Sequence, residues 1–165
     1  MKATSDSIVT ALRADSMRVD LEDGRLAHIE IPDSLAGSIA GGAGRINWIS
    51  ARGGSLLLQG DELERVELRG GSEVTHRKLG DEEVSRFAGA EMTMEFRDRI
   101  MQRVHVRGNA EVVSRIPKSK GEGEASMNRV EGERLVIEFT QGEITAVRLL
   151  DSIKGRYYPP EKREE

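Results

Sequence analysis

The feature that most constrains the fold of this chain is an internal repeat of β-type sequence. Val66-Glu-Leu-Arg-Gly-Gly-Ser-Glu-Val74 aligns without a gap on Val104-His-Val-Arg-Gly-Asn-Ala-Glu-Val112, 38 residues further on. Two weaker copies flank this pair, because Ile29-Glu-Ile31 begins 37 residues before Val66 and Val147-Arg-Leu149 begins 43 residues after Val104. A nearly constant period of this size indicates one supersecondary unit that is used four times.

Each copy predicts a β-hairpin. Its first strand carries apolar residues at alternating positions, which places their side chains on one face. These first strands are Met17–Leu21, Leu56–Leu58, Met92–Phe96 and Leu135–Phe139. Turn sequences follow, and three of them contain Asp-Gly or another Gly pair that supplies the positive φ of a tight hairpin. The third copy has Arg97-Asp-Arg instead, one residue shorter, so we expect a different turn type there.

The return strands predict a bend in the sheet. In each, the last two apolar residues alternate, but the first apolar residue lies two to four positions earlier. This spacing breaks the period in most copies and indicates a β-bulge or a corner. A Gly or small polar pair then precedes another short strand, at 74–77 and at 112–116. The return strands are Leu26–Ile31, Leu63–Leu68, Ile100–Val106 and Ile144–Leu149.

The remaining segments read as connections within one domain. The Asp81–Arg86 segment predicts a charged loop, and the Pro117–Ser126 segment has the composition of a solvated loop. The Pro32–Gly44 segment is rich in Gly and Ala and predicts a flexible connection. Because the repeat runs through these segments, we expect a single domain over residues 1–160, with a charged tail at 161–165.

The bulk composition excludes several classes of function. The chain has 165 residues, a net charge of -4 and no cysteine. An acidic chain without a dense basic run is not expected to bind nucleic acid, and disulfides and thiolate metal sites are ruled out. No apolar stretch approaches the roughly 20 residues needed to span a bilayer. The first residues have no hydrophobic run behind them, so no signal peptide is expected.

Nothing in the sequence predicts catalysis. His28, His76 and His105 fall at different points of the repeat and have no carboxylate at a ligand-like spacing, so we expect surface or strand-face histidines. Gly42-Ala-Gly44-Arg-Ile-Asn47 resembles the start of a phosphate-binding loop, but strand and turn sequence follows where a helix is needed. We therefore predict no catalytic residue, no metal site and no cofactor. A carbohydrate-processing enzyme would need a carboxylate pair in a cleft, and no pair can be selected.

The alternating apolar residues form one predicted stripe, which has two interpretations. Strand alternation usually marks a sandwich core, and this is the simpler interpretation for each residue. The alternative is a sheet folded into a trough that holds an apolar ligand, an interpretation favoured by six methionines, whose side chains adapt to variable apolar chains. The stripe consists of Met17, Val19, Leu21, Leu56, Leu58, Met92, Met94, Phe96, Leu135, Ile137 and Phe139.

The repeat also resembles a known family. The order of strand, Asp-Gly turn, Ile-x-x-Val-x-Val and x-Gly-Asn-Ala is similar to the OstA-like lipopolysaccharide transport proteins, which include LptA, LptC and the periplasmic domain of LptD. Val104–Val112 and its copy Val66–Val74 carry the match. The closing segments Glu133–Val147 and Gly155–Pro160 look most like the OstA-like proteins of Bacteroidetes-type bacteria. The resemblance covers roughly residues 14 to 160.

The resemblance implies an all-β fold, a twisted and partly open β-jelly roll built from about four hairpin units. It also implies a periplasmic, non-enzymatic protein of outer-membrane biogenesis, which holds the acyl chains of lipopolysaccharide in an apolar groove. Its partners would be other jelly-roll transport proteins, or further copies of itself, joined head to tail by edge-strand addition. Arg69, Arg107, Arg148 and Lys154 could meet lipid phosphates. The competing interpretation is a structural β-repeat module with a dry core and no ligand.

Overall fold

The computed structural model describes residues 11–42, 44–60, 62–78, 80, 84–116 and 126–158. Every regular element in these residues is a β-strand, which confirms the predicted all-β class. The strands are β1 (Ala11–Arg13), β2 (Arg18–Glu22), β3 (Arg25–Ile31), β4 (Leu35–Gly42), β5 (Arg45–Ala51), β6 (Gly53–Gln59), β7 (Glu62–Lys78), β8 (Val84–Arg97), β9 (Ile100–Ile116), β10 (Ser126–Thr140), β11 (Glu143–Leu150) and β12 (Lys154–Tyr158).

The strands form one antiparallel sheet that divides into two arms sharing the long strands β7 to β10. The first arm has the order β2-β3-β6-β7-β8-β9-β10-β11. The second arm has the order β1-β4-β5-β7-β8-β9-β10-β12. The shared strands are 14 to 17 residues long, and one half of each belongs to each arm. The product is a twisted β-jelly roll, as the repeat predicts.

The two arms meet at a bend where the shared strands carry bulges. The pairing register shifts between Arg69 and Ser72 and between Gly132 and Arg134, in line across the sheet with a shift on β8. Gly70 and Gly71 occupy φ 79° and 84°, and a Cβ on Gly70 would lie 2.8 Å from the Cβ of Arg52. Glycine is therefore required at the bend. The short strands predicted after the Gly pairs are the far halves of β7 and β9.

The four predicted hairpins are confirmed as β2–β3, β6–β7, β8–β9 and β10–β11. Each return strand has one unpaired residue near the turn, which confirms the predicted bulge. The expected difference in the third turn is wrong. Asp98 and Arg99 occupy φ 51° and 63°, matching Gln141 and Gly142 at φ 52° and 79°. The pairing of the flanking strands imposes the two positive φ values that a two-residue hairpin needs.

Two predicted connections differ from the structure. The Pro32–Gly44 segment is mostly the strand β4, because its small residues pair with β5 through a turn near Gly44. Val84–Arg86 opens β8, whereas 81–83, the rest of that predicted loop, lie outside the described residues. Most of the predicted 117–126 loop and the 161–165 tail also lie outside them.

The core lies between the inner faces of the arms. Cross-strand pairing joins one apolar row over the whole first arm, and a second row runs over the second arm. The rings of Phe87 in the second arm and Phe139 in the first lie 6.3 Å apart, so the inner faces pack on each other. The first row is Val19, Ile29, Leu56, Val66, Met94, Val104, Ile137 and Val147.

Candidate functional site

The structure brings most of the predicted stripe together in the interior between the arms. Seven of its eleven members are buried, and Leu58 packs against them half-buried. They come from neighbouring strands of the first arm, and their alternation sends each to the inner face. The seven buried members are Leu56, Met92, Met94, Phe96, Leu135, Ile137 and Phe139.

The other three predicted members lie at the free edge of the first arm. Met17 precedes β2, and Val19 and Leu21 lie on it, with exposed fractions of 45%, 48% and 65%. They are exposed because β2 pairs with β3 alone, so no strand covers its far side. Val19 nevertheless continues the inner row, since it pairs with the buried Ile29. The apolar row therefore reaches solvent at this edge.

The interior also contains apolar side chains that the sequence analysis did not select. They come mainly from the return strands and from the far halves of the shared strands. The alternation of the return strands and the repeat itself were signals that could have found them. The largest of these side chains are Ile31, Leu35, Ile39, Leu68, Phe87 and Met101, all at most 2% exposed.

The interior is filled by these side chains. A pocket of about 530 Å³ lies instead on the second arm near β1, beside the half-exposed Trp48 and the small residues Ala36 and Ser38. Ser38 pairs with Trp48, which lies between the inner positions Asn47 and Ile49, so this pocket opens on the outer face. A chain-like ligand between the arms therefore requires the arms to separate.

A row of polar side chains interrupts the apolar interior near the ends of the second arm. Asn47 on β5, His76 on β7 and Ser85 on β8 pair across the sheet and are buried. The prediction that His76 is a surface or strand-face residue is wrong, since it is 7% exposed. Burial lowers the pKa of His76 to about 4, so the imidazole is neutral at neutral pH. The matching inward parity of Asn47 and Ile49 was a sequence signal for this row.

Hydrogen bonds from His76 reach across to the first arm. Its Nε2 lies 3.1 Å from the carbonyl oxygen of Gly142, and its Nδ1 lies 2.7 Å from the Asn47 amide. A neutral imidazole donates from one nitrogen only. We therefore assign Nε2–H as the donor to Gly142, with the Asn47 amide turned so that Nδ2 donates to Nδ1. This orientation also gives a partner to Nδ2, which otherwise has none in the part of the chain described.

Arg45 makes a second connection between the arms. Its Nη2 lies 2.9 Å from Oε1 of Glu143, and its Nη1 donates to the carbonyl oxygen of Gln141 at 3.5 Å. Arg45 is 8% exposed, whereas the side chain of Glu143 is 70% exposed. The ring of Phe139 stands edge-on to His76, with the centroids 5.2 Å apart. Side chains of β5 and β7 thus hold the β10–β11 turn against the second arm.

The outer face carries charges in alternation across the strands. Arg86 lies 2.6 Å from Glu73 and 2.8 Å from Glu111, and Arg129 lies 2.6 Å from Glu111 and 2.9 Å from Glu131. The hydrogen bond from Arg86 lowers the pKa of Glu73. This arrangement keeps the outside of the jelly roll polar while the inside is apolar.

Two of the arginines that could meet lipid phosphates are already ion-paired. Arg69 pairs with Glu30, and Arg148 pairs with Glu138 at 2.9 Å. In the ranges that the structure covers, no group of three or more His, Asp or Glu side chains could hold a metal ion. Over the same ranges, no helix is long and apolar enough to cross a membrane.

The architecture is an LptA-like β-jelly roll, which confirms the fold that the family resemblance implied. A solved structure with this fold is LptH of Pseudomonas aeruginosa, described as the LptA homologous periplasmic component of the conserved lipopolysaccharide transport device. The two chains superpose with a TM-score of 0.64 at 16% sequence identity, over 92% of this chain and 96% of LptH. No protein-family model and no curated protein matches the chain. At this identity the likeness establishes the fold.

Proposed function

We propose that this protein is a periplasmic, non-enzymatic component of lipopolysaccharide transport that holds lipid acyl chains between its two arms. The observation that carries the proposal is the unbroken apolar row across the first arm, which reaches solvent at both edges. Its interior members are buried, whereas Val19 at one end is 48% exposed and Val147 at the other is 41% exposed. A groove for acyl chains needs such a surface, which is accessible from an edge and continuous with the interior. The resemblance to LptH in fold is consistent with this role.

The energetics favour an acyl chain as the occupant. Burial of apolar surface stabilises a bound chain by about 0.8 kcal/mol per CH₂. Methionines at the centre of the row suit this role, because unbranched thioether side chains can adopt new rotamers around a ligand. Met92 and Met94 lie on β8, and Met101 lies beside them on β9. The charged outer face leaves the sugars of a bound lipopolysaccharide in water.

The free edges suit assembly with similar proteins. The edges nearest the N-terminus are β1 and β2, and those nearest the C-terminus are β11 and β12. Addition of β11 of one molecule to β2 of the next would continue the first arm, and β12 and β1 would do the same for the second arm. Such a contact would place Val147 beside Val19 of the next copy and extend the apolar row from one molecule to the next.

Native mass spectrometry of the protein purified from a lipopolysaccharide-producing bacterium tests the proposal. We expect a fraction of the protein to carry the added mass of lipopolysaccharide or its lipid portion. A matched preparation of the Phe96→Asp variant should lose this mass while remaining folded by circular dichroism, because Phe96 lines the interior near its open end. Preparations that contain bare protein only would contradict the proposal.

A second candidate function is a structural β-repeat module with no ligand. The filled interior favours it, since Val66, Met94 and Ile137 have no exposed surface. This alternative differs in what Phe96→Asp does. Burying an unpaired charge in a permanently dry core would unfold the protein.

A further inference from the structure

We propose that the contacts between the second arm and the β10–β11 turn form a clasp, which opens to admit a lipid chain between the arms. The clasp consists of Arg45, Asn47 and His76 on one side and Gln141–Glu143 on the other. This inference rests on the proposed lipid-binding function and adds a point of control to it.

The position of the clasp is that of a latch opposite a hinge. The shared strands bend at Gly70 and Gly71, where both residues have positive φ. The clasp lies toward the free ends of the arms, because His76 is two residues from the end of β7 and Gly142 is in the hairpin turn. Movement about the bend would therefore separate the arms most at the clasp.

The chemistry of the clasp makes its release inexpensive compared with that of an apolar contact. A buried ion pair gives little net stability, because the desolvation of its charges offsets their attraction. Glu143 already keeps most of its side chain in water, and opening would return the Arg45 guanidinium to water as well. The carbonyl oxygens of Gln141 and Gly142 would likewise exchange their protein donors for water. The closed and open arrangements can thus be close in free energy.

Opening the clasp would also make room in the interior. Phe139 lies on β10 directly before the turn and is 5% exposed. Its ring packs edge-on against both His76 and Phe87 of the second arm. If the turn moves away from the second arm, Phe139 moves with it and uncovers Phe87. The space that these rings fill when the clasp is closed becomes available to an acyl chain.

A reversible crosslink across the clasp tests this inference. The native chain has no cysteine, so the double variant Arg45→Cys/Glu143→Cys can be joined with a short, reducible bismaleimide. The probe is a dansyl fatty acid, whose fluorescence rises when it enters an apolar site. We expect the crosslinked protein to lose probe uptake and the reduced protein to recover it.

The matched control is Arg103→Cys/Glu138→Cys, treated with the same crosslinker. These positions face each other within the first arm, on β9 and β10, so the link does not join the arms. We expect this crosslinked protein to bind the probe like the unlinked protein. Equal uptake by the clasp variant with and without its link would overturn the clasp alone. Absence of uptake in every form, including the native chain, would overturn the lipid-binding function and the clasp with it.

A milder variant tests release of the clasp without a crosslink. Glu143→Gln removes the charge of an exposed side chain and leaves the core untouched. Loss of an ion pair of this kind changes an equilibrium by about two- to fivefold, and we expect probe uptake to accelerate by that factor. The control Glu131→Gln removes a comparable charge on the outer face, which pairs with Arg129, and should leave uptake unchanged. Uptake at the native rate in Glu143→Gln would contradict a gating role.

Discussion

Lowering the pH should weaken the fold through His76 in a way that can be isolated from other groups. Burial, with a smaller contribution from the charge of Arg45, lowers the pKa of His76 from 6.5 to about 4. Between these two values the unfolded chain binds a proton at this position and the folded protein does not. The free energy of unfolding is therefore fully favoured by His76 above pH 6.5 and falls as the pH drops toward 4.

The size of the effect follows from the shift in pKa. One pKa unit corresponds to about 1.4 kcal/mol, so the complete loss through His76 is about 3 kcal/mol. Between about pH 7.5 and about pH 5.5 the expected loss is about 1.3 kcal/mol. Most carboxylates remain ionised over that interval, which limits their contribution. A domain with a stability of about 5–15 kcal/mol makes such a loss easy to measure.

Urea unfolding followed by the fluorescence of Trp48, the only tryptophan, provides the assay. The matched variant is His76→Gln, whose amide nitrogen can still donate to the carbonyl oxygen of Gly142. We expect the free energy of unfolding to fall with pH by about 1.3 kcal/mol more in the native chain than in the variant. His28 and His105 are present in both proteins, so their contributions cancel. An equal pH dependence in the two proteins would refute the assignment of a buried, neutral His76.

Three further outcomes are expected. Met94→Ala should lower the free energy of unfolding by about 2–5 kcal/mol in denaturant melts, because it leaves a cavity at a fully buried position; a loss below about 1 kcal/mol would mean that the arms collapse freely. Arg99→Gly should raise it by about 0.5–1 kcal/mol, because Arg99 occupies φ 63°, and an unchanged melting midpoint would contradict this. Val147→Pro should suppress concentration-dependent oligomers in sedimentation experiments, because it removes a donor from β11; oligomers that persist would count against strand addition.

The hairpins could be predicted from the sequence because their determinants are local. Alternation in Met92–Phe96 fixes one face, and the early Ile100 marks the bulge. The third turn shows where this reasoning ends. Asp98 and Arg99 carry no glycine, and the strands that flank them impose the turn.

The second arm was largely missed because its determinants are non-local. β4 pairs with β5 and with β1, and its small residues resemble a loop when read alone. The burial of His76 was missed for the same reason. Its environment comes from a turn 66 residues away in the chain, and no periodicity on β7 reports that contact.

The measurement that tests the central claim most directly is photo-crosslinking to lipopolysaccharide in living cells. A photoreactive residue replaces either Phe96 or Phe139 on the inner face, or Glu95 or Glu138 one position away on the outer face. We expect crosslinked lipopolysaccharide at the two inner positions and none at the two outer positions. Crosslinking at all four positions, or at none of them, would contradict a lipid held between the arms.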